Sequence, residues 1–197
     1  MVPVPDGQLF LDGIDVNELP LNSLRRDVAM VPQEGFLFTS TLADNLRYGE
    51  PEAESNSVEQ AAERARLLDD VKGFPEGFAT IVGERGITLS GGQRQRTALG
   101  RALLVSAPVL VLDDALASVD NNTAAAILDS IRTTDGRTIV MISHQLSAAA
   151  ACDRILVMEQ GRIVQQGHHR DLISTPGVYR RLWERQQAAE QLDAIAG

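Results

Sequence analysis

Residues 89–114 read Leu-Ser-Gly-Gly-Gln-Arg-Gln-Arg-Thr-Ala-Leu-Gly-Arg-Ala-Leu-Leu-Val-Ser-Ala-Pro-Val-Leu-Val-Leu-Asp-Asp, and this stretch decides the fold. It predicts a helix followed by a buried strand. The helix starts near Gly91 and runs to about Val105. Pro108 then introduces Val109-Leu-Val-Leu112, a continuous apolar run of the kind buried inside a parallel sheet.

The pattern repeats downstream. A helix is predicted over about Asn121 to Arg132, then the strand Thr138-Ile-Val-Met-Ile142 and a short helix. Arg154–Met158 and Arg162–Gln165 flank the turn Gln160-Gly161 as a hairpin. Val178 to Ile195 closes the chain as a helix with Val178, Leu182, Ala189 and Leu192 on one side, a stripe expected to pack on the domain's own sheet or on a partner. Upstream, Gln8–Leu11 reads as a strand ending at Asp12-Gly13, Leu21–Arg26 as a helical turn, and Val28–Val31 as a strand halted by Pro32. Thr41–Tyr48 and Ser57–Asp70 read as helices, the second with Ala61, Ala65, Leu68 and Val71 near one face. Residues 73–88, rich in glycine, read as a long loop of the sort that is more often functional than idle. Alternating strands and helices indicate an α/β domain with a mostly parallel core sheet.

Bulk properties narrow the function. The chain has 197 residues, a 44% hydrophobic and 23% charged composition and a net charge of −9, which is ordinary for a globular domain and argues against nucleic-acid binding. The lone Cys152 excludes an internal disulfide or a cysteine-rich zinc site, reads as a small buried apolar side chain, and fits a reducing cytosol. Met1-Val-Pro-Val-Pro-Asp-Gly7 has no secretory leader, and the nearly apolar run Ala102–Leu112 is too short to span a bilayer.

Several residues stand where chemistry is expected. Leu89-Ser-Gly-Gly-Gln93 precedes a helix, whose N-terminus offers free backbone N–H groups and partial positive charge. Gly91 and Gly92 leave room for a phosphate, and Ser90 adds a hydroxyl at the cap position. The plain alternative is a serine cap beside glycine. Asp113 and Asp114 end an apolar strand, which is the geometry of a triphosphate-bound Mg²⁺ site; capping of the next helix is the alternative. His144 leaves a third strand at Ile142-Ser-His, where it could bond a phosphate or water, or serve structure. Gln33 leaves another strand at Val31-Pro-Gln and offers a neutral oxygen to Mg²⁺, or is an exposed turn amide.

That ordered set resembles the nucleotide-binding domain of ATP-binding-cassette (ABC) transporters over essentially the whole chain. Gln33 matches the Q-loop glutamine, Leu89–Gln93 the signature, Asp113 the Walker B aspartate, Asp120 the D-loop aspartate and His144 the switch histidine. Leu24–Gln33 and Val82-Gly-Glu-Arg-Gly86 look like exporter forms, the latter resembling a loop that touches membrane-domain coupling helices through Glu84 and Arg85. The resemblance implies a P-loop NTPase-like fold with a helical subdomain over about residues 41–105, a Walker B and switch core over 106–175, and a C-terminal helix over 176–197.

Two departures shape the expectation. No G-x-x-x-x-G-K-[ST] occurs in the 197 residues, so the Walker A strand-loop-helix is expected to be missing through N-terminal truncation. Asp114 stands at the family's catalytic glutamate, as in the degenerate-site subunit of heterodimeric multidrug exporters. The implied function is coupling of ATP binding and hydrolysis to export, with ATP and Mg²⁺ as ligands. Asp114, His144 and Gln33 are then catalytic, Asp113 and Gln33 metal-holding, and Leu89–Gln93 ATP-binding in trans. The implied partners are a second nucleotide-binding domain and a transmembrane domain at the cytoplasmic face of the plasma (inner) membrane. The alternative is a non-catalytic domain that only donates its signature to another subunit's site. A DNA-repair ATPase is disfavoured, because only 55 residues separate Gln33 from Leu89, too few for a coiled-coil insertion.

Overall fold

The computed structural model describes residues 3–83, 86–134 and 136–196. In chain order, β1 (Phe10–Leu11) and β2 (Ile14–Asp15) form a tight hairpin, followed by α1 (Leu21–Asp27) and β3 (Val28–Val31). A helical region then holds β4 (Ser40–Thr41), α2 (Leu42–Arg47), α3 (Ser55–Arg64), α4 (Leu68–Gly73), a 3₁₀ turn at Gly77–Ala79, β5 (Ile81–Val82) and α5 (Gly91–Leu104). The second half alternates as β6 (Val109–Asp113), α6 (Asn121–Thr134), β7 (Thr138–Ile142) and α7 (Leu146–Ala150). It closes with β8 (Ile155–Glu159), β9 (Arg162–Gly167), α8 (His169–Ser174) and α9 (Val178–Ala196).

The apolar run of β6 lies at the centre of a parallel sheet ordered β3-β6-β7. Val31 pairs with Leu112 and Leu112 with Met141, while Asp113 pairs with Ile142. Side chains alternate between the faces of a strand. Val31, Leu110 and Leu112 therefore share one face, all at 0% exposure, and pack with Leu99 and Leu103 of α5 and Ile127 and Ile131 of α6. The opposite face carries Met30, Val111 and Val140 in one row, with Ile142 beyond. There Met30, Val140 and Ile142 stand 56%, 47% and 54% exposed.

A second apolar cluster joins Leu42 and Leu46 of α2, Val58 and Ala62 of α3, Leu67, Val71, Val82 and Leu89. The first cluster meets it across α5, where Gly100 lets Leu46 approach so closely that an added Cβ would sit 2.7 Å from Leu46 Cδ2. A third cluster holds the β8–β9 hairpin to the C-terminal helices through Ile155, Val157, Leu172 and Tyr179. Gln160 and Gly161, at φ 50° and 75°, give that hairpin its turn, since two positive φ angles suit the strand twist.

The expected single helix over Ser57–Asp70 is two helices. Arg66 adopts φ 55°, its N–H donates to Glu63 O and the Leu67 N–H donates to Ala62 O. That bond pair is a Schellman stop, fastened by the fully buried Leu67 side chain. The expected loop over 73–88 contains the Gly77–Ala79 turn and β5, because Thr41 and Ser40 pair with Ile81 and Val82. The N-terminal strand is shorter than Gln8–Leu11, and the helix His169–Ser174 was not anticipated. Along α9, Val178 packs with the third cluster but Ala189 and Leu192 are exposed, so the stripe is covered at one end only. Cys152 is half-buried, not fully so. Among the described residues, no helix is long and apolar enough to cross a membrane.

Candidate functional site

Parallel pairing puts the C-terminal ends of β3, β6 and β7 on one edge. Gln33, Asp113, Asp114 and His144 are thus delivered to a common rim from three strands. Gln33 and His144 are exposed and Asp113 is half-buried. Asp114 is 8% exposed with φ 47°, a left-handed conformation that aspartate tolerates better than most residues. Its N–H donates to Ile142 O at 2.8 Å, and its carbonyl accepts from Ala117 N–H at 3.1 Å. The chain therefore turns sharply after Asp113 and then runs through Ser118 to Asp120. Backbone strain of this kind is concentrated at functional sites in proteins generally.

The glycine-rich segment forms the start of α5. Ser90 is the N-cap: its hydroxyl accepts from Gln93 N–H at 3.2 Å, and Gln93 Oε1 accepts from Ser90 N–H at 2.9 Å. This capping box fixes the first turn. Gln93 Nε2 donates to Asp70 at 2.9 Å, so the Gln93 side chain is committed to internal bonds. Arg96 also holds Asp70, at 2.7 Å, and Arg94 donates to Leu89 O at 2.9 Å. Leu89 itself is buried at 3% exposure in the helical cluster, anchoring the segment while Ser90 stays exposed. A 14-residue helix with a glycine-lined, serine-capped N-terminus is a ready anion site.

The rim and the helix start lie together. A Cβ on Gly92 would meet Ser118 O at 2.9 Å, and one on Gly91 would meet Ser118 Oγ at 3.5 Å. On the other side, a Cβ on Gly35 would meet Arg94 O at 3.0 Å and Ala98 Cβ at 3.2 Å. Asp120 ends the intervening loop, exposed; bonds from the Thr123 backbone N–H and hydroxyl hold its carboxyl below the ordinary aspartate range. Asp113 and Gln33 offer one carboxylate and one amide oxygen on a shared edge. That donor set fits Mg²⁺, which takes few protein ligands and keeps phosphate oxygens and waters.

Beyond Gln33 the chain is shaped by a buried amide that sequence reasoning missed. Asn45, 1% exposed, accepts from Phe38 N–H at 2.9 Å and donates to Phe38 O and Thr41 O at 3.0 Å each. Arg101 of α5 donates to Asn45 O at 2.8 Å and lies over the Phe38 and Tyr48 rings. Also missed was Gln95, which binds the Gln33 carbonyl and the Ser118 N–H. The available signal was its place in the stripe 95, 98, 99, 102, 103, where a polar residue interrupts an apolar face. Glu84 and Arg85 lie outside the described residues.

Comparison with known proteins identifies the family and the fold. The ABC transporter family model matches residues 1–117. The chain is 41% identical to the mitochondrial ABC transporter B family member 24 of Arabidopsis thaliana over 94% of its own length and 27% of that protein. It is 40% identical to the probable multidrug resistance ABC transporter ATP-binding/permease protein YheI of Bacillus subtilis, over 99% of its length and 34% of that protein. The solved structure of a bacterial Atm1-family ABC exporter with ATP bound superposes with a TM-score of 0.86 at 40% identity, covering 90% of this chain and 31% of that one. The chain thus spans between 17% and 34% of the length of the curated relatives it matches. With the family model, the relatives and the parallel-sheet fold in accord, this chain belongs to the ABC transporter family and carries the α/β fold of an exporter's ATPase domain.

Proposed function

We propose that this chain is the nucleotide-binding part of an exporter that couples ATP binding and hydrolysis to movement of a drug-like or lipid substrate across a membrane. The observation that carries the reading is the junction of the capped α5 N-terminus with the loop from Asp114 to Asp120 beside the strand rim. Ser90, Gly91 and Gly92 would offer a hydroxyl and backbone N–H groups to the γ-phosphate of ATP held by a second nucleotide-binding domain. Leu89 and Gln93 shape that surface, Leu89 by burial and Gln93 by its capping bonds. Asp120, exposed on the adjoining loop, would face the same partner.

At the rim, Asp113 and Gln33 would hold Mg²⁺ together with phosphate oxygens; the ion supplies charge neutralisation as the phosphoryl group departs. Asp114 would accept a proton from the attacking water, and His144 would hydrogen-bond that water or the γ-phosphate. We read residues 41–105 as the helical lobe, 106–175 as the core and 176–197 as the closing helix. Glu84 and Arg85 would contact a transmembrane domain, placing the chain at the cytoplasmic face of the plasma (inner) membrane.

A second reading has its own observation. Asp114 is one methylene shorter than a glutamate and is nearly buried, which withdraws the base from a water at the rim. The chain would then complete a partner's ATP site through its signature while its own site turns over slowly. Both readings are tested in a chimera in which residues 1–197 replace the matching segment of the Bacillus subtilis relative. Ser90→Arg should abolish ATP turnover in that chimera if the signature acts on nucleotide. Turnover unchanged by Ser90→Arg would refute both readings.

A further inference from the structure

We propose that Gln95 is a positioning residue that ties the Gln33 turn and the Ala117–Asp120 loop to α5, so that the three segments shift as one. Its meaning for nucleotide chemistry rests on the reading of Gln33 and Asp120 given above; the mechanical link does not. Gln95 is 7% exposed in the apolar stripe of α5, where an amide is costly to bury unless both of its ends are bonded. Both are bonded, and both to main chain. Oε1 accepts from Ser118 N–H at 2.8 Å, and Nε2 donates to Gln33 O at 3.4 Å. These partners also fix the orientation of the amide: an N–H can only donate and a carbonyl only accept, so the flipped rotamer would lose both bonds.

Main-chain partners make the link one of loop path, independent of the rotamers of Gln33 and Ser118. Close packing supports it on both sides of the helix. Gly35 brings the Gln33 turn against Arg94 and Ala98, and Gly92 brings α5 against Ser118 O, with no side chain between. The shorter bond makes Ser118 the stiffer arm and the Gln33 carbonyl the looser one. A displacement of the Gln33 turn therefore reaches the Asp120 loop through one amide.

The test is NMR on the 197-residue chain. Gln95→Met removes both bonds with little change in volume, whereas Gln95→Glu keeps an acceptor for Ser118 in either protonation state. Relative to the Leu112 amide in the central strand, exchange of the Ser118 amide should quicken about tenfold in Gln95→Met and stay within about twofold in Gln95→Glu. A merely destabilising effect would quicken both amides together. Gly35→Ala, which displaces the Gln33 turn, should shift the Ser118 ¹⁵N resonance more when Gln95 is present than when it is Met. Unchanged Ser118 exchange in Gln95→Met, or the same response to Gly35→Ala in both backgrounds, would overturn the proposal. Should Gln95→Met fail to fold, the scalar coupling across the hydrogen bond from Ser118 N to the Gln95 side-chain carbonyl decides in the unaltered chain. Its detection supports the link, and its absence where α5 backbone couplings are seen overturns it. No readout uses nucleotide, so this link and the Ser90→Arg outcome can fail separately.

Discussion

Gly91→Ala and Gly92→Ala add the same methyl group one residue apart, and their outcomes should have opposite sign. At Gly92 the new Cβ would stand 2.9 Å from Ser118 O, with the next atom at 3.8 Å. An ordinary carbon–oxygen contact is about 3.3 Å, so roughly 0.4 Å must be found. The obstacle is backbone, and its residue is bonded through Ser118 N–H to Gln95 at 2.8 Å, so yielding strains that bond as well. Forced overpacking of this kind costs about 1–3 kcal/mol. At Gly91 the nearest atoms are the Ser118 side chain at 3.5 and 3.6 Å, ordinary contact, and alanine there gains up to about 0.8 kcal/mol in helix preference. Urea denaturation of the two variants beside the parent chain measures the difference. A Gly92→Ala variant as stable as Gly91→Ala would show that α5 and Ser118 are not packed as described.

Asn45→Ala leaves Phe38 N–H without its partner and removes the amide's bonds to the Phe38 and Thr41 carbonyls, while Phe38 O keeps its bond from Ser40 N–H; it should cost about 1–3 kcal/mol in the same assay, and no loss would contradict the burial. Arg66→Gly relieves a left-handed residue at the Schellman stop and should raise stability by up to about 1 kcal/mol; no gain would mean that α3 does not end there as described. In the chimera, Asp114→Glu should raise ATP turnover by at least about tenfold, and by no more than the roughly 10²–10⁴-fold that a placed base supplies, by extending the carboxylate toward water; unchanged turnover would remove Asp114 from that role.

The central sheet was legible because Val109–Leu112 is a continuous apolar run of the kind buried inside a parallel sheet, and a helical pattern separates it from the strand Thr138–Ile142; the half-exposure of Val140 and Ile142 on the open face was not legible. Pro32 likewise marked the end of β3, so the residues leaving each strand could be named before their rim was seen. The break between α3 and α4 was hidden because its left-handed residue is arginine, whereas glycine or asparagine would have signalled it. The pairing of Ser40 and Thr41 with Ile81 and Val82 joins two-residue strands across the helical region, too short for any period to register. Gln95 was legible only as an irregularity in an apolar stripe. Its partners are backbone atoms at Gln33 and Ser118, and no pattern of side chains encodes which loops will pass beside it.

The open face of the β3-β6-β7 sheet bears on thermodynamics as well as shape. Unfolding raises heat capacity because apolar groups enter water, by about 12–15 cal/mol/K per residue, or about 2.4–3.0 kcal/mol/K for a chain of 197 residues. Met30, Val140 and Ile142 are already half in water in the folded chain and add little more to that sum. The stability curve of the chain is correspondingly flatter: it changes less between cold and warm than that of a domain of equal length with both sheet faces covered. An element laid over that face would sharpen the curve along with raising it.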